Sequence, residues 1–164
     1  MQAGIKLRDQ GGLTHFDVTG TGTNISAGSA QLNSALRGDT TFVARGTRAG
    51  ALIRLDQAEA RNGQITASAS GTWGAGQTDL RADLRAANLG FAMDKLRGSL
   101  IGQAQVLDLP GGQRRITAEG SADGLAIGNA RIDGLLAGQT RFQLAALQGP
   151  QGLRLERLDA RNGQ

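Results

Sequence analysis

The chain has 164 residues with 26 glycines, two prolines, one histidine, five aromatic residues and no cysteine. This inventory excludes disulfides, thiolate catalysis and cysteine zinc sites, and the 39% hydrophobic content must build a core from small side chains rather than aromatic rings. The net charge of +4 comes from dispersed arginines whose longest run is Arg114-Arg115, so we expect no nucleic-acid partner.

Alternating polar and apolar residues, separated by Gly, Asn and Asp, predict an all-β chain of antiparallel strands. The alternation is strict over 64–73, where apolar residues, most of them small, alternate with polar residues, most of them Ser or Thr. The candidate strands in chain order are 4–9, 13–21, 29–36, 40–46, 51–60, 64–73, 98–108, 113–121, 129–136, 140–147 and 152–160. Residues 78–89 fit both strand alternation and helical spacing, and we favour a strand there.

The chain repeats itself with a period of 100 residues. Segment 11–64 aligns with 111–164 without a gap and shares 16 identities over 54 positions. The longest shared run is residues 60–64, Ala-Arg-Asn-Gly-Gln, which returns at 160–164. We therefore interpret 1–164 as a single elongated piece of a repeat array and expect it to be a fragment of a longer one.

Within the repeat, Asn62-Gly63 predicts a type I′ hairpin turn that pairs Arg61 with Gln64 and places Ala60 opposite Ile65. The apolar residues before Asp56 have the opposite parity from those after it, and the second copy changes parity at the same point. A one-residue β-bulge restores a common apolar face, so we predict bulges near Asp56-Gln57 and Glu156-Arg157. Bulges bend a sheet, and the repeat therefore predicts curvature.

The same alternation predicts which side chains share one apolar interior. We expect ten residues to line it as a groove for lipid: Phe42, Ile53, Leu55, Ile65, Leu100, Val106, Ile116, Phe142, Leu153 and Leu155. Because the remaining residues of this face are small, we expect the face to bury itself only partly and to leave a groove.

Residues suited to catalysis are few. His15 is the one imidazole and lies between Thr14 and Phe16 in a candidate strand, which is typical of an ordinary strand residue. The closest carboxylates, Asp79 and Asp83, alternate with arginines as a solvated charge ladder. Phosphate-binding glycine loops and calcium repeats are missing from the sequence. We predict no enzyme, no catalytic residue, no cofactor and no metal site.

Three segments resemble the repeats of the TamB family, relatives of the AsmA-like envelope proteins. They are Leu55 to Trp73, with an Asn-Gly-Gln turn leading into a small-residue strand, Asp79 to Phe91, with Leu-Gly-Phe at 89–91, and Asp94 to Asp108, with Arg-Gly-x-Leu-x-Gly. The resemblance implies a β-taco, which is a long antiparallel sheet folded into a U around an apolar groove. It also implies a periplasmic protein anchored in the inner membrane and partnered with the outer-membrane protein TamA.

From the resemblance and the predicted apolar face, we expect a periplasmic segment that shields phospholipid acyl chains during transport between the inner and outer membranes. Two alternatives stay open. One is a chaperone-like scaffold for the assembly of outer-membrane β-barrel proteins with TamA, and the other is a ligand-free structural solenoid or adhesin module. Because strand 152–160 ends the sequence without the hairpin partner that 64–73 supplies to 51–60, we also expect self-association through this edge.

Overall fold

The computed structural model describes residues 2–26, 30–91, 95–136 and 138–163. Within these residues, ten strands form one antiparallel sheet in which each strand pairs with its neighbours in sequence, from β1 at one edge to β10 at the other. The strands are β1 (Gln2–Gln10), β2 (Leu13–Thr23), β3 (Asp39–Ala49), β4 (Leu52–Arg61), β5 (Ile65–Trp73), β6 (Asp79–Ala86), β7 (Arg97–Leu109), β8 (Gln113–Ala126), β9 (Gln139–Gly149) and β10 (Gly152–Gly163). The prediction of an all-β antiparallel chain is confirmed, and residues 79–86 of the ambiguous segment are a strand.

The two ends of the sheet differ. At one end, which we call the helical end, the connections contain helix α1 (Ala30–Ala35), a 3₁₀ turn (Leu89–Phe91) and helix α2 (Ala130–Leu136). At the other, the hairpin end, short turns join β1 to β2, β3 to β4, β7 to β8 and β9 to β10. None of the helices among the described residues is both long and apolar enough to cross a bilayer.

The predicted strands over 29–36 and 129–136 are wrong within the described residues, because these segments carry α1 and α2, while residue 29 lies outside the described residues. Ala, Gln and Leu favour a helix, and Ala35 and Leu36 pack into the core at the helical end. Helix α2 begins after Asn129, whose Oδ1 accepts a hydrogen bond from the Arg131 N–H at 3.2 Å, an N-cap that the alternation pattern does not reveal.

Both predicted bulges are present. The β4–β5 pairing shifts register between Leu55 and Ala58, and the β9–β10 pairing shifts between Leu155 and Arg157. The change of apolar parity in the sequence is therefore absorbed by one irregularity in each copy, which keeps the flanking apolar residues on the same face.

The register predicted for the β4–β5 hairpin is wrong by two residues. Ala60 pairs with Ala67 rather than Ile65, and neither Asn62 nor Gly63 takes the positive φ of a type I′ turn. The Asn62 side chain fixes the turn instead, since its Oδ1 accepts the N–H groups of Gln64 and Ile65, each at 2.8 Å. A displacement of two residues keeps every side chain on its face, so the assignment of faces is unaffected.

The buried core is small and lies at the helical end. Ala35, Ile65, Ala86 and Leu89 form it, and the partly buried Leu100 is among the residues packed against them. Elsewhere the strands contact mainly their sequential neighbours, so most of the sheet is a single layer. On one face of that layer the side chains are half-buried mainly through contacts with each other. This face is the candidate site.

Candidate functional site

The pairing registers align three rows of residues across all ten strands without a single polar side chain. The middle row consists of Ile5, Val18, Ala44, Ala58, Ala69, Ala82, Ala104, Ala118, Leu144 and Leu158. The row on its helical side consists of Ala3, Gly20, Phe42, Ala60, Ala67, Leu84, Gly102, Gly120, Phe142 and Ala160. The row on its hairpin side consists of Leu7, Phe16, Gly46, Leu55, Gly71, Leu80, Val106, Ile116, Ala146 and Leu155. We call these three rows the apolar face.

The register places all ten residues of the predicted groove on this side of the sheet. Phe42 and Phe142 belong to the helical-side row, and Leu55, Val106, Ile116 and Leu155 belong to the hairpin-side row. Ile65 and Leu100 lie one row further towards the helical end, and Ile53 and Leu153 lie one row further towards the hairpin end. Whether these side chains contact lipid stays a prediction.

Alanines dominate the middle row, and sequence reasoning did not single them out. From β3 to β8 every member of that row is alanine and half-buried. The hairpin-side row beside it carries larger residues such as Leu80, Val106 and Ile116. The face therefore has a row of small side chains that runs across the strands, next to a row that contains larger side chains. The recurring alanines of the alternating segments are the signal in the sequence, but only the register joins them into a row.

Aromatic rings cover glycines within these rows. A Cβ built on Gly20 would lie 2.5 Å from Phe42 Cζ, and one built on Gly46 would lie 2.9 Å from Phe16 Cζ. Each of the two rings thus crosses the neighbouring strand, and the two glycines leave the space that they need.

A charged cluster bounds the apolar face at the hairpin end. Arg114 Nε donates to Asp108 Oδ1 at 2.8 Å, and its guanidinium carbon lies 4.9 Å from the centroid of the Trp73 ring. The N–H of the buried Thr78 donates to Asp108 Oδ2 at 2.8 Å. The hydrogen bond from Arg114, followed by those from Thr78, lowers the pKa of Asp108 from 3.8 to about 2. The carboxylate is therefore charged at neutral pH and serves as a structural acceptor rather than a proton donor.

The opposite face of the sheet is polar and carries charges in rows. One row contains Asp83, Gln103, Glu119, Gln143 and Asp159 on β6 to β10. Gln103 Nε2 donates to Glu119 Oε1 at 2.5 Å. Two clefts of about 770 and 610 Å³ lie over this part of the sheet and are lined largely by polar-face residues, although Phe142 borders the first and the middle-row residues Ala82, Ala104, Ala118 and Leu144 border the second. Most of their lining is thus on the side opposite to the one on which a lipid groove is predicted.

Two observations bear on the predictions about catalytic and metal-binding residues. His15 is exposed on the polar face of β2, opposite Arg8 and Thr47. Within the described ranges no three His, Asp or Glu side chains come together in a metal-binding group. The candidate site is therefore an extended apolar surface with a charged cluster at its hairpin end.

Comparison with known proteins adds no relative: no protein-family profile, curated protein or solved structure matches this chain.

Proposed function

We propose that the apolar face binds and shields phospholipid acyl chains, as a non-enzymatic segment of a periplasmic lipid-transport protein of the TamB type. The observation that carries the proposal is the continuity of the three rows, which cross all ten strands without a polar side chain. The family resemblance of the repeats supplies the envelope setting, transport between the two membranes and TamA as the partner of the longer protein.

The dimensions suit an acyl chain. Ten strands spaced about 4.8 Å apart give the rows a length of roughly 43 Å. One leaflet of a bilayer core is about 15 Å thick, half of the whole core of about 30 Å. The apolar face can therefore hold an extended acyl chain lengthwise across the strands, with room for more than one.

Burial of the acyl chain can hold a phospholipid on the apolar face without a binding site for its headgroup. Burial of one CH₂ group contributes about 0.8 kcal/mol, so the methylenes of one acyl chain supply the affinity. Because that gain depends on area rather than on polar contacts, we expect selectivity for apolarity and little preference among headgroups. Closure of the sheet into a U around the chain, as the resemblance implies, would remove its remaining surface from water.

A fluorescent phospholipid labelled on its acyl chain tests the proposal by titration with the protein. Ile116→Glu places a charge on the apolar face, and we expect about tenfold weaker binding because the carboxylate must be desolvated beside the acyl chain. Thr117→Glu is the matched control, since the neighbouring residue points to the polar face. Circular dichroism checks that both variants fold. Equal binding by the two variants, or no binding by the wild-type chain, would overturn the proposal.

The open edges of the sheet favour the alternative function. Strands β1 and β10 each pair on one side only within the described residues, and such edges can add a strand from a client protein. A chaperone-like scaffold for outer-membrane β-barrel proteins would use these edges and would bind unfolded client strands equally well in Ile116→Glu. The same variant thus separates the two functions.

A further inference from the structure

A further cleft of about 410 Å³ on the polar face is lined by more basic than acidic side chains. Lys6 and Arg8 come from β1, His15 from β2 and Arg45 from β3. Arg8 lies directly opposite His15, and Lys6 is two residues away on the same face, at about 7 Å. Arg45 lies two strands from Lys6, at about 10 Å. The four side chains therefore start close enough together for their N–H groups to reach one small ligand.

The two carboxylates at this cleft already have arginine partners. Arg45 Nε lies 3.3 Å from Asp17 Oδ2, and Arg54 Nε lies 3.3 Å from Asp56 Oδ1. By contrast, the two cations of β1 are exposed and have no ion pair or side-chain hydrogen bond with any part of the chain that the structure describes. Their positive charge is therefore available to an anion from solution.

The second copy of the repeat lacks this basic cluster at the same place. Alanine stands at position 145 instead of Arg45, and β7 carries Gln105 and Leu107 where β1 carries its two cations. Arg115 replaces the histidine, and its Nε lies 3.9 Å from Glu156 Oε2. Because both copies form the same antiparallel pairing, the sheet does not require the cluster for its architecture. This difference favours a role of the cluster in binding.

We propose that the cluster is a binding site for a phosphate group, on the face opposite to the apolar face and independent of lipid binding there. Lys6 supplies an ammonium group with three N–H donors, and Arg8 supplies a planar guanidinium that can donate to two phosphate oxygens at once. His15 adds a ring N–H. Arg45 keeps N–H groups beyond those that its Nε and Nη1 direct at protein oxygens. The ligand class is therefore a phosphate or phosphate ester, either free or in a lipid headgroup.

The single histidine makes the site directly observable. Inorganic phosphate is titrated into the full chain at constant pH and ionic strength, while NMR follows the ring signals of His15, and we expect a saturable shift. Lys6→Gln/Arg8→Gln should weaken binding by about tenfold, because two charge-assisted contacts are lost. Arg115→Gln/Arg154→Gln is the matched control, since it removes the same charge from the polar face of the second copy and should leave the affinity unchanged.

All four substituted side chains are exposed, and circular dichroism checks that both double variants fold. A shift that grows linearly with phosphate and never saturates would overturn the proposal. Equal weakening in the two double variants would also overturn it, because net charge rather than a site would then explain the binding.

Vesicles distinguish the two sources of phosphate. The protein is sedimented with phosphatidylcholine vesicles that contain or lack phosphatidic acid. Extra binding to phosphatidic acid that Lys6→Gln/Arg8→Gln loses and the control variant keeps would support the site and assign it to lipid headgroups. Saturable binding of inorganic phosphate without this difference would support the site and assign it to free phosphate. Absence of both kinds of binding would overturn the proposal and leave lipid binding by the apolar face unaffected.

Discussion

Phe142 lies across Gly120 of the neighbouring strand, so that a Cβ on Gly120 would be 2.9 Å from Phe142 Cζ and 2.3 Å from the carbonyl oxygen of Ile101. The glycine is therefore a steric requirement of the apolar face. A side chain at this position would overlap both the Phe142 ring and the backbone of β7.

Gly120→Ala should destabilise the protein by about 1–3 kcal/mol, because the added methyl group forces the ring and the adjacent backbone apart. Gly149→Ala is the matched control, since the nearest atom to a Cβ there is Gln113 Cγ at 4.0 Å. Its free energy of unfolding should change by no more than about 0.5 kcal/mol. Urea denaturation of both variants measures the difference, and equal stabilities would refute the packing role of Gly120.

Asn62 ties the β4–β5 turn to helix α1. Besides accepting two backbone N–H groups, it donates from Nδ2 to the Ala35 carbonyl at 2.8 Å. Asn62→Ala leaves these partly buried groups unpaired and should cost about 1–3 kcal/mol. Amide hydrogen exchange should show faster exchange in α1. Asn88→Ala, which removes one exposed hydrogen bond to the Gly90 N–H, should have little effect on either quantity.

Asp108 gives the stability a predictable acid dependence. Its folded pKa of about 2 lies below the ordinary 3.8, so its stabilising contribution is complete above about pH 4. The contribution is lost as the pH falls from about 4 through 2, because the carboxyl group becomes protonated in the folded state as well. Asp108→Asn should be less stable than the wild type at pH 7, and the two should converge near pH 2. Arg114→Gln removes the largest cause of the lowered pKa. In this variant the free energy of unfolding should therefore change less between pH 4 and pH 2 than in the wild type. A constant difference from pH 7 to pH 2 would show that Asp108 acts by some other route.

The sequence predicts much of the sheet because its signals are local. Strict alternation identifies β5, and the parity change around Asp56 predicts a bulge that the pairing contains. The failures involve contacts between distant segments. In the β4–β5 hairpin the Asn62 side chain replaces the predicted type I′ turn by accepting the N–H groups of Gln64 and Ile65, and it also donates to the Ala35 carbonyl, a contact that no local pattern contains.

The helices and the alanine row were missed for related reasons. Helix α1 is stabilised by packing of Ala35 against Ile65 and Leu89, which lie far along the chain. The alanines of the middle row are aligned only by the combined register of the five strand pairings from Ala44 to Ala118, and an error in any one of them would misalign the row. The alternation of polar and apolar residues assigns each residue to a face of the sheet, but it does not say which residues of neighbouring strands lie side by side on that face.

Self-association of this chain should occur through the strand edges that are unpaired within the described residues, those of β1 and β10. Exposed Leu153, Leu155 and Leu158 accompany the open backbone of β10, and a net charge of +4 opposes contact only weakly. Leu158→Lys places a charge at this edge and should weaken association by roughly tenfold in sedimentation velocity. Thr117→Lys adds the same charge on the polar face of an interior strand and should leave association unchanged. A monomeric wild-type chain over a wide concentration range would contradict this expectation.

Photo-crosslinking to phospholipid vesicles tests the central claim most directly, because it reports which face touches the acyl chains. Val106 and Leu107 are adjacent on β7 and point to the apolar and polar faces, respectively. A benzophenone amino acid replaces each residue in turn, and lipid adducts are identified by mass spectrometry after irradiation. Lipid binding by the apolar face predicts adducts from position 106 and few from position 107. Adducts in equal amounts from both positions, or mainly from position 107, would contradict it.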